Sequence, residues 1–444
     1  MNPPDQRMAN AFDPGTLASL PAREQALIRR RQQALGQAYR LFYQQPLHLL
    51  RGEGVWLYDA AGQPYLDVYN NVASVGHSHP QVVQAIARQA ATLNTHTRYL
   101  DEGIVDYAER LLATLAMPGH QAMFTCTGSE ANDLALRLAS NFTGGQGVIV
   151  TAHAYHGVTS SVAACSPAFG EGVALGPNVR TVPTPDSYRG VAGEDVATRF
   201  THDVQAAIAD LQRHGLRPAA LLVDTLFTSD GVFADPPGFL AGAVDAIHAA
   251  GGLFIADEVQ AGFARSGSHF WGFQRHGVQP DIVTMGKPMG NGHPLAGLAA
   301  RADIIDAFGS RVRYFNTFGG NPVSCAAGMA VLEVIEQEGL QHNAHVTGAY
   351  LKAGLQALAG KHELIGDVRG AGFFLGVELV NDRQGKQPAT AAASRVVNAL
   401  RERRILLSAT GPAGNILKLR PQLPFAREHA DLLLDALDAV LAAR

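Results

Sequence analysis

Between about Gln121 and Ala300 the chain alternates short, almost wholly apolar runs with helical stretches, and this rhythm limits its possible folds more than any other feature. The runs are AMFT, GVIVTA, ALLVDTLF, GLFIADEV, DIVTM and PLAGLAA. Runs without polar alternation suit strands covered on both faces, and their alternation with helices is the pattern of a parallel sheet wrapped in helices. The expected fold class is α/β: a large domain over residues 71–313 with a mostly parallel sheet covered by helices. After about Arg313 the pattern changes to a long helix through MAVLEVIEQEG, strands in VRGAGFFLGVELV and ILKLRPQLPF, and a closing amphipathic helix, ADLLLDALDAVLAAR. Residues 314–444 are read as a small α+β domain. Residues 1–70 carry a helical pattern from about Arg23 to Leu41 and a hairpin in GVWLYDAAGQPYLDV, and are expected to pack with that small domain.

Composition excludes several partners. A net charge of −4 gives no long-range pull towards polyanions, and Arg29, Arg30 and Arg31 read as a solvated helix face, so neither nucleic acid nor anionic lipid is expected. The most apolar stretch, Ala241 to Ala256, is interrupted by Asp245 and His248, short of the roughly 18 apolar residues of a membrane span. MNPPDQRMANAFDPG lacks a basic start followed by an apolar core, and the scattered Cys126, Cys165 and Cys325 make neither a disulfide framework nor a zinc pattern. A cytoplasmic protein without a metal is expected.

Three segments carry chemistry. In FTCTGSEANDLALRLAS a strand meets a helix at Thr127, Gly128 and Ser129, where free backbone N–H groups make an anion site, although taken alone the segment reads better as a plain helix cap by Thr127 or Ser129. In GGLFIADEVQAGF a buried strand ends in Asp257 and Glu258, at the edge of an open sheet where ligands bind; a simple loop start is the alternative. In PDIVTMGKPMGNGHPLAG, Lys287 follows another buried strand, and a lysine taken out of water favours its neutral, nucleophilic form; a solvated lysine is the alternative. Phosphate cradle, strand-end carboxylate and buried lysine, in that order on one sheet, are the contributions that pyridoxal phosphate requires of a protein.

These residues resemble the class III aminotransferases, pyridoxal-phosphate enzymes of fold type I. Asp257-Glu258-Val259-Gln260-x-Gly262 leads to PDIVTMGK with Asp257 and Lys287 30 residues apart. VGHSHP, TGSEAN, Tyr155-His156-Gly157, NTFGGNP and RGAGFFLGVEL extend the similarity across most of the chain beyond about residue 50. The resemblance implies that Thr127, Gly128 and Ser129 hold the cofactor's phosphate, Tyr155 stacks on its ring, and Asp257 pairs with the ring nitrogen. It further implies that Val259 packs behind the ring, Gln260 reaches the phenolic oxygen, and Lys287 carries the cofactor and shuttles the proton. His156 lines the cleft or is hydrogen-bonded into the structure. The family also implies a homodimer, with pairing of dimers into a tetramer left open, in which Thr317 completes the neighbouring subunit's phosphate cradle.

The expected reaction is transamination from a primary amine or an amino acid, ω-amino acids included, to a small keto acid such as pyruvate. TMGKPMGNGHPLAG, PTPDSYRG, NNVASVGHSHP and ILLSATGPAGNILKLRP are similar to the branch containing alanine–glyoxylate aminotransferase 2 and its phospho-lyase relatives. The alternative is therefore elimination of phosphate and ammonia from a phosphorylated amino alcohol. Two departures bear on the choice. Where many members have EPIQxEGG, this chain has Asp224-Thr-Leu-Phe-Thr-Ser229-Asp230-Gly231, with Ser229 in place of the second glutamate. The family's carboxylate-gripping arginine is replaced by Lys418, with Arg420 one pleat further on the same face; lysine is a point charge without the bidentate fork. Both could be substrate residues or structural strand residues.

Overall fold

The N-terminal hairpin forms in the computed structural model, which describes residue 8 and residues 10–190 and 195–443. Most of the segment on which the leader reading rests, residues 1–7 and 9, lies outside the described residues. The first helix, α1 (Ala22–Leu35), stops short of Leu41 because Gly36 takes a positive φ of 68° and ends it. Strands β1 (Leu49–Glu53), β2 (Trp56–Asp59) and β3 (Pro64–Asp67) then form an antiparallel meander. Helices α2 (Pro80–Ala90) and α3 (Glu102–Ala113) lead into the central sheet.

That sheet comprises β4 (His120–Thr125), β5 (Gly147–Thr151), β6 (Val179–Val182), β7 (Pro218–Asp224), β8 (Leu253–Asp257), β9 (Ile282–Met285) and β10 (Ala296–Arg301). Their order is β4-β10-β9-β8-β7-β5-β6, and only β10 runs against the others. The connection 286–295 is too short for a crossover helix, so β10 returns antiparallel. Every residue of β5, β8 and β9 is buried, as their uninterrupted apolar runs require. Helix α4 (Gly128–Thr143) lies against the sheet through Leu134, Ala135, Leu138 and Ala139. The edge strand β6, in the polar context NVRTVPTP, was not legible as a strand.

The later strands are β11 (Ile365–Ala371), β12 (Phe374–Leu379), β13 (Ile405–Leu406), β14 (Ser408–Thr410) and β15 (Ile416–Leu419). Four of them form an antiparallel sheet in the order β11-β12-β15-β14. The fifth, β13, joins the N-terminal meander in parallel with β3, and Tyr43 Oη donates to the Leu407 carbonyl at 3.1 Å. Thus the two chain ends build one body beside the central sheet. The helix Pro322–Gln337, which the sequence reading placed at the start of the small domain, packs against α2 and α3. Among the described residues no helix is long and apolar enough to cross a membrane.

Candidate active site

Three adjacent parallel strands deliver three charged side chains to one crevice. Asp224 ends β7 and Asp257 ends β8, in register with each other; Asp257 is in register with Thr284 of β9, three residues before Lys287. Lys287, Asp224 and Asp257 line a common cavity with Gly128, Ser129, Tyr155, His156, Gly157, Val259 and Gln260. This is the carboxyl edge of the sheet, where an α/β fold leaves room for a ligand. Burial holds the Lys287 amine below the usual lysine pKa, while the charges of Asp257 and Asp224 oppose that shift.

Asp257 is fixed from three sides. Asn132 Nδ2 donates to Oδ2 at 2.9 Å, His156 Nδ1 lies 2.7 Å from the same oxygen, and the Val259 amide donates to Oδ1 at 3.1 Å. Thr284 Oγ1 in turn donates to Asn132 Oδ1 at 2.6 Å. His156 is therefore both in the cavity lining and hydrogen-bonded into the structure. Glu258 faces the other way, as the next residue of an extended segment must. Its carboxylate accepts from the amides of Gly272 and Phe273 and from Thr225 Oγ1, and burial pushes its pKa up to about 7. Of the two adjacent acids, Glu258 is the structural one.

At the candidate phosphate cradle, Thr127 takes the capping role that the sequence also allowed. Its side chain accepts from the Glu130 amide while Glu130 takes up the Thr127 amide, a reciprocal cap, and it does not line the cavity. Gly128 and Ser129 begin the helix inside the cavity, where the first amides of a helix have no partner within it. A side chain on Gly128 would come within 2.9 Å of Val259 Cγ2, so the close approach of α4 to Val259 needs glycine. Gly157 has φ of 144°, and a Cβ there would fall 2.5 Å from Ser129 Oγ and 2.8 Å from Ser129 Cα. Gly157→Ala should therefore displace Ser129 and the start of α4. The strain of such a backbone, roughly 1–3 kcal/mol, corresponds to about a 5- to 150-fold loss of cofactor affinity. Titrating cofactor into the apo variant while following tryptophan fluorescence measures it, and affinity within twofold of wild type refutes this role.

Behind Gln260 of the cavity lining stand residues from the two chain ends. Arg420 Nη1 donates to Gln260 Oε1 at 2.7 Å and to Asn71 Oδ1 at 3.2 Å, and its guanidinium lies 4.3 Å from the centre of the Tyr69 ring. Gln260 Nε2 donates to Thr228 Oγ1 at 2.6 Å, and Thr228 donates onward to Asp224. Lys418, 7% exposed, sits 5.5 Å from the centre of the Phe374 ring, close enough to Arg420, Asp224, Lys287 and Asp230 to feel each charge. Among the described residues neither Lys418 nor Arg420 forms an ion pair. Burial lowers both pKa values, that of Lys418 strongly. Tyr69, Asn71, Asn132 and Thr228 were missed as site residues, and Asp224 was seen only as the start of an altered motif. Thr317 is exposed and does not line the cavity of its own chain.

The residues present fit pyridoxal phosphate. A helix start with two small residues suits the phosphate, Asp257 with three fixed donors suits a protonated ring nitrogen, and Tyr155 lies beside the cavity, held edge-on by Phe169 at 5.4 Å. Gly286 Cβ would lie 3.4 Å from the Gly128 backbone, so Lys287 follows a residue packed directly on the helix start.

Comparison with known proteins agrees. A family model described as Aminotransferase class-III matches residues 42–441. The chain is 44% identical to the Drosophila melanogaster protein named alanine–glyoxylate aminotransferase 2-like, over 94% of this chain and 88% of that one. It is 39% identical to ethanolamine-phosphate phospho-lyase homolog 1 of Caenorhabditis elegans, over 94% and 93% of the two chains. Among solved structures, a phospholyase from Arthrobacter in complex with phosphoethanolamine superposes with a TM-score of 0.91 at 45% identity, covering 94% of this chain and 100% of that one. An aminotransferase from Bacillus anthracis superposes with a TM-score of 0.87 at 27% identity, over 96% and 100%.

Proposed function

The chain belongs to the class III aminotransferases, a pyridoxal-phosphate-dependent family, and from that premise we propose that it eliminates phosphate and ammonia from a phosphorylated primary amine of the phosphoethanolamine kind. The observation that carries this reading is the pair of buried cations, Lys418 and Arg420, without an ion-pair partner among the described residues and with Ser229 where many relatives place glutamate. A substrate carboxylate brings only one negative charge to these two basic side chains. A phosphate dianion matches both.

Pyridoxal phosphate, when bound, supplies a conjugated ring that draws electron density from the substrate carbon bearing the amine. Asp257 holds the ring-nitrogen proton, with Asn132 and His156 fixing its carboxylate. Lys287, made less basic by burial, moves the proton at the substrate carbon. Lys418 and Arg420 hold the phosphate end, and Gln260, clamped between Arg420 and Thr228, keeps Arg420 in place.

Transamination to a keto acid is the second reading, favoured by the 44% identity to the alanine–glyoxylate aminotransferase 2-like protein, and it uses the same Lys287 and Asp257. One assay separates them: incubate the holoenzyme with phosphoethanolamine without any keto acid and measure phosphate and acetaldehyde. Equal amounts of both are expected. Strict dependence on pyruvate, with alanine formed and no phosphate, sinks the elimination reading.

Class III enzymes are generally oligomeric and act on small molecules. The proposal therefore includes a homodimer. Phe318, 69% exposed, and the fully exposed Leu100 are large apolar side chains that a second copy would cover, and Thr317 beside Phe318 would meet the neighbouring site.

A further inference from the structure

Breaking a phosphate ester needs a proton as well as a cation. If the carbon–oxygen bond simply parts, the leaving group is trianionic phosphate, far too basic to depart at neutral pH. Arginine cannot supply that proton, since its guanidinium stays charged, whereas a buried lysine gives up its proton readily. Where the class III pattern that this sequence resembles has a carboxylate-gripping arginine, this chain has Lys418 on β15, with Arg420 two residues further, just past the strand. Resting on the elimination reading, we propose that Lys418 is the acid that protonates the departing phosphate oxygen.

The step balances as follows. Lys287 removes a proton from the carbon bearing the amine. That electron pair becomes the new carbon–carbon double bond, and the neighbouring carbon–oxygen bond breaks with its pair going to the bridging oxygen. Lys418 Nζ gives that oxygen a proton. Phosphate leaves as its monohydrogen dianion and Lys418 remains as a neutral amine; the proton that Lys287 took passes to water and water returns one to Lys418, so both lysines are reset before the next turnover. The unsaturated amine left behind hydrolyses to aldehyde and ammonia.

The surroundings of Lys418 suit this cycle. Burial disfavours its charge, as do Arg420 just past its strand and Lys287 beyond β9, so the neutral amine is tolerated after transfer. Asp224 at the end of β7 and Asp230 in the following loop favour the charge, and the face of Phe374 lies beneath it. A bound phosphate dianion adds to the favourable side, so the ammonium is loaded when substrate arrives. Lys418 comes from β15, and its ammonium and the Arg420 guanidinium lie 5.5 and 5.8 Å from the centre of the same Phe374 ring, which ties Lys418 to the group that holds Gln260 of the cavity. One lysine can work at the amine-bearing carbon while the other works at the oxygen one carbon further on.

Lys418→Met and Lys418→Arg holoenzymes test this with two substrates, phosphoethanolamine and 2-chloroethylamine, whose chloride leaves without a proton. Lys418→Met should lower kcat for phosphate release by about 10²- to 10⁴-fold, the usual contribution of general acid catalysis. Initial chloride release should change less than threefold. Lys418→Arg should restore the KM for phosphoethanolamine but not kcat. The wild-type kcat for phosphate release should fall at alkaline pH through an ionisation absent from chloride release. Lys418→Arg matching wild-type kcat overturns the proposal, because charge alone would then suffice. So does equal slowing of chloride release in Lys418→Met, which marks a structural role. Absence of phosphate release by the wild type overturns the elimination reading itself and this proposal with it.

Discussion

Replacing Lys287 with alanine should abolish turnover, by more than about 10⁴-fold, while the cofactor still binds. Two functions are lost together: the amine that carries the cofactor and the base that moves the proton, the latter alone contributing about 10²- to 10⁴-fold. The binding groups are elsewhere. Gly128 and Ser129 belong to α4, Asp257 to β8, and each is held by contacts that do not include the Lys287 side chain. Removing the amine also relieves a desolvated group, since burial already works against its charged form. The fold should therefore be kept. Borohydride reduction followed by peptide mass analysis gives a readout independent of activity. Wild type should show the cofactor's mass on the Lys287 peptide, and Lys287→Ala on none. Undiminished activity, or an adduct on Lys418 in the wild type, would sink the assignment.

Lys287 and Asp257 were legible because each follows an unbroken apolar run, DIVTM or LFIA, so the strand end and the ligand crevice are fixed within a few residues of sequence. The helix start at Gly128 was legible for the same reason, yet the sequence could not divide its labour. Thr127 caps while Ser129 faces the cavity, a distinction that depends on Glu130 reaching back to the Thr127 amide. The strand-end pattern alone did not divide Asp257 from Glu258; the family resemblance chose Asp257, and side-chain alternation sends Glu258 to the Gly272 and Phe273 amides. The residues behind Gln260 were least legible. Arg420 and Asn71 are 349 residues apart, and Arg420 and Gln260 are 160 apart. Their meeting depends on the pairing of β3 with β13, which brings the two chain ends together, and no local pattern encodes it. The replacement of arginine by Lys418 was visible as a departure, but only the buried setting beside Asp224, Asp230 and Lys287 gives that departure a chemical meaning.

Asp257→Asn is the substitution that separates electrostatics from shape at this site. Asparagine is nearly the same size, so the packing against β7 and β9 is preserved and the chain should fold. What changes is charge and hydrogen-bond direction. The aspartate accepts from Asn132 Nδ2 and faces His156 Nδ1 through one oxygen, and accepts from the Val259 amide through the other. An asparagine has one acceptor oxygen for these partners, and its amide must turn a donor towards another donor on one side. Towards the ring nitrogen it offers no negative charge. Removing one member of a buried charged pair costs roughly 3–5 kcal/mol, and at 1.36 kcal/mol per decade that is about a 10²- to 10⁴-fold loss of rate. The loss should appear in kcat, because the proton on the ring nitrogen matters most when electron density flows into the ring, whereas the phosphate end still anchors the cofactor. Absorbance of the bound cofactor as a function of pH should shift in the variant even without substrate, since the ring loses the group that fixes its protonation. Wild-type kcat together with an unchanged absorbance profile would mean that Asp257 serves only to tie Asn132, His156 and the Val259 amide together.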